Sequence, residues 1–126
     1  MKYNIIIRRS TLLASLMVIL FAIGCEYDKR EPLDLSTIPA VVSFSTHVEP
    51  TFQANCTQCH NGNQPPDLTP ENAYFDLTNG NFINIDNPKG SVLYEEIIGN
   101  GGMAEHSNDR QRAIILKWIQ QGALDN

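Results

Sequence analysis

Cys56-Thr57-Gln58-Cys59-His60 sets two thiols three residues apart, with an imidazole directly behind the second. Side chains at i and i+3 meet on one face of a helical turn, so both sulfurs can reach one edge of the same planar group. His60 brings a ring nitrogen to that face. The C-x-x-C-H pattern is the attachment sequence of c-type haem, with thioether bonds from both sulfurs and the histidine on iron. Three other chemistries use part of this pattern. Structural zinc takes four ligands, usually with a second Cys or His pair. Here Cys25 is the one further cysteine, and His47 and His106 stand singly. A thioredoxin-like C-x-x-C opens a helix in a βαβ setting, which no strand pattern here supplies. A Cys56–Cys59 disulfide needs no histidine beside it. The spacing together with His60 favours haem.

The 126 residues carry a formal charge of −5 and three cysteines. This suits one small domain, and speaks against a large multidomain enzyme or a nucleic-acid binder. The first 24 residues differ from the rest. Lys2, Arg8 and Arg9 precede the apolar run Leu12–Ile23, broken only by Ser15. The run is short of the about 20 residues a membrane span needs, and reads as an export signal. It ends Ala22-Ile23-Gly24-Cys25, which resembles a bacterial lipoprotein signal in which Cys25 is lipidated and becomes the mature N-terminus. An ordinary signal peptide or short anchor with an incidental cysteine is the alternative. Arg8-Arg9 reads as part of a general basic start, because haem attachment outside the cytoplasm acts on an unfolded chain. From Glu26 to Ser43 charges are mixed, two prolines occur and no helical apolar period is seen. The expected organisation is a signal peptide over 1–24, a lipidated N-terminus and flexible tether over 25–43, and a folded domain over 44–126. Cys25 then goes to lipid and Cys56 and Cys59 to haem, leaving no disulfide.

Without the leader the charge moves from −5 to −8. Leu, Ile, Val and Phe make up 22% of residues 44–126, close to the ~20% below which charged chains tend to disorder. Domains this small bury only about 60% of their unfolded surface, so a staple is expected. A covalent haem supplies one. Phe44, Val48 and Phe52 form a stripe on a first helix capped at Ser45 or Thr46, which delivers Cys56 at its end. Asn61–Asp67 is a loop. Thr69-Pro70 starts a second helix with Ala73, Tyr74 and Leu77 inward, ended by Asn79-Gly80. Phe82–Ile85 is a short extended piece and Pro88-Lys89-Gly90 a turn. Ser91 caps a third helix, Val92–Ile98, stopped by Gly99, and Asn100-Gly101-Gly102 is a flexible approach to Met103. The last helix is capped around Ser107–Asp109 and ends at Gly122. Its buried stripe is Ile115, Trp118, Ile119 and Gly122, with Arg110, Arg112 and Lys117 mostly outside.

The runs FSTHVEPTFQANCTQCHNG and KWIQQGALDN resemble the small mono-haem c-type cytochrome domains of planctomycete-type proteins and bacterial lipoproteins, over about 44–126. The resemblance implies an all-α cytochrome c-like domain of three to five helices around one covalent haem c. It implies terminal helices packed together, with Phe52 and Trp118 at the helix–helix and haem contact. Pro66-Asp67-Leu68 matches the family's Pro-x-Leu. By that likeness the Pro66 carbonyl accepts a hydrogen bond from His60 Nδ1–H, with Pro65 as a substitute, and Leu68 packs on the haem. The family takes its sixth ligand from a methionine before the last helix. Met103, 43 residues after His60, matches, though Ala104 stands where proline is usual. His106 is the rival ligand, and His47 reads as a surface or capping residue.

With His60 and Met103 both on iron no site is left for substrate, and the thioether raises the potential relative to a second histidine. Glu95-Glu96 diverge on their helix and read as a solvated face. No paired carboxylates, Ser/His arrangement or phosphate loop suggests an enzyme. The expectation is an electron-transfer cytochrome anchored by lipid in the bacterial envelope, periplasmic or at the cell surface. Its acidic charge would steer it to basic surfaces on a redox donor and acceptor. The competing readings are a haem-based sensor or peroxidase-like protein with an exchangeable distal site, and a non-redox binding lipoprotein.

Overall fold

A computed structural model describes residues 34–126; the leader, Cys25 and the first part of the expected tether lie outside the described residues. The described chain is all-helical and contains no strand. Helix α1 begins as a π-turn, Phe44–Val48, and runs directly into the α-helical stretch Glu49–Asn55. It is followed by α2 (Ala73–Asn79), α3 (Val92–Ile97) and α4 (Asp109–Gln120). Short 3-10 turns sit at Leu35–Thr37, Pro88–Gly90 and Ala104–His106.

The stripe Phe44, Val48, Phe52 is buried as its four-residue period requires. The cap lies earlier than the sequence suggests: Ser43, not Ser45 or Thr46, accepts from the Thr46 N–H at 3.3 Å. Starting one residue before Phe44 turns that ring inward, 5.1 Å from Trp118 and 5.3 Å from Tyr74 between ring centroids. α4 is the most completely specified element. Asn108 and Gln111 form a reciprocal capping box at its start. At its end Gly122 (φ +96°) turns the chain. The Gly122 and Ala123 N–H groups then bond the carbonyls of Ile119 and Trp118, both at 3.0 Å. This is a Schellman stop, in which glycine takes the left-handed position without a Cβ clash. It returns the tail over α4, where the Leu124 carbonyl accepts from Trp118 Nε1 at 2.9 Å and the Ala123 carbonyl from the Tyr74 hydroxyl at 3.1 Å. Trp118 is thus fully buried with its one donor satisfied.

Several expectations are corrected. Residues 34–43 belong to the folded body rather than to a tether. Ile38 and Val42 are buried, and Gln121 bonds the Val42 N–H at 2.9 Å and the Ala40 carbonyl at 2.8 Å. Ser91 precedes α3 with extended backbone but does not cap it by side chain, because its hydroxyl accepts from the Asn84 N–H at 2.9 Å. Phe82–Ile85, read as a short extended piece, belongs to no regular element and is held by Ser91 and by the bond from Leu93 N–H to Phe82 O. Asn100–Gly102 is tied down: Gly101 N–H bonds Ile98 O and Gly102 N–H bonds Glu96 Oε2. Arg112 is not a solvent residue, with its side chain only 19% exposed.

Candidate functional site

The C-x-x-C-H segment continues α1 by one more turn. Cys56 N–H bonds Phe52 O at 2.7 Å, and Cys59 and His60 N–H both return to Cys56 O, at 3.1 and 2.9 Å. This local winding turns Cys56, Cys59 and His60 into one cavity of ≈ 330 Å³. Cys56 is half-buried, Cys59 is exposed, and both are free thiols. Burial pushes the Cys56 thiol up, so at neutral pH it is protonated rather than a ready nucleophile.

The loop after the motif folds back onto the imidazole. His60 is buried, its Nδ1 lies 3.1 Å from the Pro66 carbonyl, and its own carbonyl accepts from Leu68 N–H at 2.9 Å. A carbonyl can only accept, so Nδ1 carries a proton, and in the neutral imidazole the lone pair is then on Nε2. Among the described residues Nε2 has no protein partner. The contact from His60 to Pro66, rather than to Pro65, is the one expected from the Pro-x-Leu match.

Asp67 holds this strap. Its carboxylate accepts from Thr69 N–H (3.0 Å), Thr69 Oγ1 (2.7 Å) and Asn72 Nδ2 (2.8 Å), while its N–H donates to Asp76 Oδ2 (2.8 Å). The Thr69 bonds hold the Asp67 carboxyl below the usual carboxylate range.

Phe52 and Ile115 from the terminal helices, Leu68 from the strap, Phe82, and Leu93 and Ile97 from α3 give the cavity its apolar lining. Met103 borders it, half-buried against the core, with its N–H on Glu96 O at 2.9 Å. His106 borders it too, but is exposed and lies 3.6 Å from Glu105. His47 does not. Its Nδ1 accepts from the Ser43 N–H at 2.9 Å, closing the start of α1. Trp118, expected from the resemblance at both the helix–helix and haem contacts, packs against Phe44 of α1 and does not line the cavity, whereas Ile115, one turn earlier on α4, does.

The sequence reading missed Phe82, Val92, Leu93, Glu96, Ile97 and Ile115 as cavity residues. The spacings Val92–Glu96 and Leu93–Ile97, both i,i+4 on a short helix, were the signal available for four of them. Among the described residues no three His, Cys, Asp or Glu side chains converge to hold a metal ion, and no helix is long and apolar enough to cross a membrane. Cys56, Cys59, His60 and Met103 share instead the border of one cavity with apolar walls.

No family model matches the chain, and neither a curated protein nor a solved structure matches it.

Proposed function

We propose that the chain is a membrane-anchored c-type cytochrome that transfers single electrons through one covalently attached haem, with His60 and Met103 as axial ligands. The observation that carries this reading is the convergence of four sequence-predicted groups, Cys56, Cys59, His60 and Met103, on one cavity with apolar walls. Three features of that cavity suit a porphyrin. Its volume lies within the about 300–1,000 Å³ usual for cofactor pockets. The two thiols are unpaired and share a helical turn, as attachment at one porphyrin edge requires. His60 is oriented before any metal arrives, since Pro66 O fixes the Nδ1 proton and leaves Nε2 as donor.

Bound there, haem would supply a one-electron couple. The protein's own part is orientation and exclusion of water. The strap Pro66-Asp67-Leu68 holds the imidazole against rotation. The buried Leu68, Leu93, Ile97 and Ile115 keep the surroundings apolar, which limits solvent reorganisation when charge changes. Met103, which borders the cavity on a loop tied to α3, would give a sulfur donor that favours the reduced state. Lipidation at Cys25 would keep the domain at a membrane, and the net acidic charge favours partners with basic surfaces.

The test is expression of the full chain with a c-type maturation system. The expected product carries one haem by mass, is low-spin in both redox states, and in the reduced state does not bind carbon monoxide. Met103→Ala should convert it to a species that does. Absence of covalent haem would sink the proposal, while carbon monoxide binding by the unsubstituted protein would favour the sensor or peroxidase-like alternative.

A further inference from the structure

We infer that Arg112 is the positioning residue that keeps Met103 in place as a ligand, an inference that rests on the His60/Met103 reading above. Met103 follows two glycines and precedes a 3-10 turn, Ala104–His106, of only three residues, which cannot hold itself. On the N-terminal side the loop is anchored to α3 through Gly102 N–H to Glu96 Oε2 and Met103 N–H to Glu96 O, both 2.9 Å. On the C-terminal side the anchor is a single side chain from the first turn of α4. Arg112 donates through one terminal nitrogen to the carbonyls of Ala104 and Ser107, the latter at 2.7 Å. Its Nε donates to Ser107 Oγ at 2.9 Å, and its other terminal nitrogen to Asp109 at 3.1 Å. Ser107 Oγ in turn donates to the Ile97 carbonyl at 2.9 Å, joining the clamp to the end of α3.

A guanidinium withdrawn this far from water is unfavourable unless its donors are taken up, and here the fork is matched to two loop carbonyls, a hydroxyl and a carboxylate. Three of those four acceptors lie on the Met103 loop and its exit. The geometry therefore spends a cation on the loop rather than on another helix. Without the fork, the Ala104 and Ser107 carbonyls lose their shared donor, and the segment after Met103 keeps only its short turn bonds, the Ser107 Oγ bond to the Ile97 carbonyl and the packing of Met103 on the core. The position Met103 occupies then opens to an added ligand, or to His106, which borders the same cavity three residues on.

Arg112→Lys is the discriminating variant, because it keeps the charge and most of the stem but cannot form the fork. Removing positive charge near a haem lowers its potential by itself; with lysine in place, a fall in potential reports loss of the thioether. The experiment uses the haem-loaded full chain. The unsubstituted protein is expected to show the thioether-to-ferric-iron charge-transfer band and to exclude carbon monoxide when reduced. Arg112→Lys should lose half or more of that band, bind carbon monoxide, and shift to lower potential with unchanged far-ultraviolet circular dichroism. Ser107→Ala, which removes two bonds of the clamp at small volume cost, should lose less of the band in the same direction. Arg110→Met, which removes a charge from the exposed side of the same turn, should leave the band intact. Full band amplitude and no carbon monoxide binding in both Arg112→Lys and Ser107→Ala would overturn the role of Arg112. If Arg112→Lys does not fold, Ser107→Ala decides alone. An unsubstituted protein that lacks the band refutes the His60/Met103 reading itself, a result distinct from an unsubstituted protein with the band whose variants keep it.

Discussion

Emptying the cavity should unfold the domain. The perturbation is Cys56→Ala/Cys59→Ala in the full chain, produced without haem maturation so that nothing occupies the space. In well-packed proteins an unfilled apolar cavity costs about 24 cal/mol per Å³. Applied to ≈ 330 Å³, that is about 8 kcal/mol. Water entering through the open side lowers the cost, so this is an upper figure. Half of it, about 4 kcal/mol, still nearly equals the lower end of the 5–15 kcal/mol that holds a typical domain folded. The cavity also divides the apolar contacts. Leu68, Leu93 and Ile97 line it and turn a small part of their surface to the space, while Phe52 and Ile115, each 1% exposed, meet it only at an edge. What is independent of it is the cluster of Phe44, Tyr74 and Trp118 between α1, α2 and α4. Trp118 is the protein's one tryptophan and is fully buried, so its emission reports that cluster directly. At 25 °C the haem-free variant is expected to show solvent-exposed tryptophan emission, reduced helical circular dichroism and no cooperative melt. A cooperative thermal transition with buried-type emission would refute the reasoning, and would mean that the side-chain core suffices without a cofactor.

Three further perturbations follow from particular contacts. At Gly101 an added Cβ would stand 2.3 Å from the backbone oxygens of both Glu95 and Glu96, which cannot move aside. Gly101→Ala should therefore cost about 1–3 kcal/mol in a urea titration of the haem-loaded protein, and an unchanged midpoint would contradict the close approach. Asp67 is held in its charged form by Thr69, so its folded pKa lies below the unfolded one. Its stabilisation is therefore complete above the unfolded value of about 3.9 and is lost as pH falls through the lower folded value. The stability difference between the unsubstituted protein and Asp67→Asn should narrow from about pH 5 to pH 2, and a difference constant over that interval would count against the strap's charge dependence. Gln121→Ala leaves the Val42 N–H and the Ala40 carbonyl without their partner. A loss of about 1–3 kcal/mol and faster proteolysis within 34–43 are expected; proteolysis at the unsubstituted rate would show that this segment is held by Ile38 and Val42 alone.

The parts of this molecule that could be read from sequence are those fixed by neighbours in sequence. The C-x-x-C-H turn, the stripe Phe44–Val48–Phe52, the start of α4 around Asn108 and its glycine stop are each decided within one or two turns of chain, where propensity and periodicity act. The segment 34–43 was not legible in this way. The whole stretch 26–43, with two prolines and mixed charge, resembles a tether, and only Gln121, about eighty residues later, shows that Ala40 and Val42 near its end are bonded. Arg112 is more instructive, because its burial was encoded locally and was overridden by residue type. It stands three residues before Ile115 and seven before Ile119, on the same helical stripe. Helical phase alone therefore directs its side chain toward the buried side, while its charge suggests solvent. Charge prevails only where water is the best available partner. A loop with two glycines and a three-residue turn presents carbonyls that neither α3 nor α4 can bond through its own backbone, and a fork of five donors at the head of the stripe is the one side chain nearby that answers several at once. An arginine in phase with a buried stripe, directly after a glycine-rich loop, is thus a positional signal for a clamped loop, and in this chain the clamped loop is the one that carries Met103.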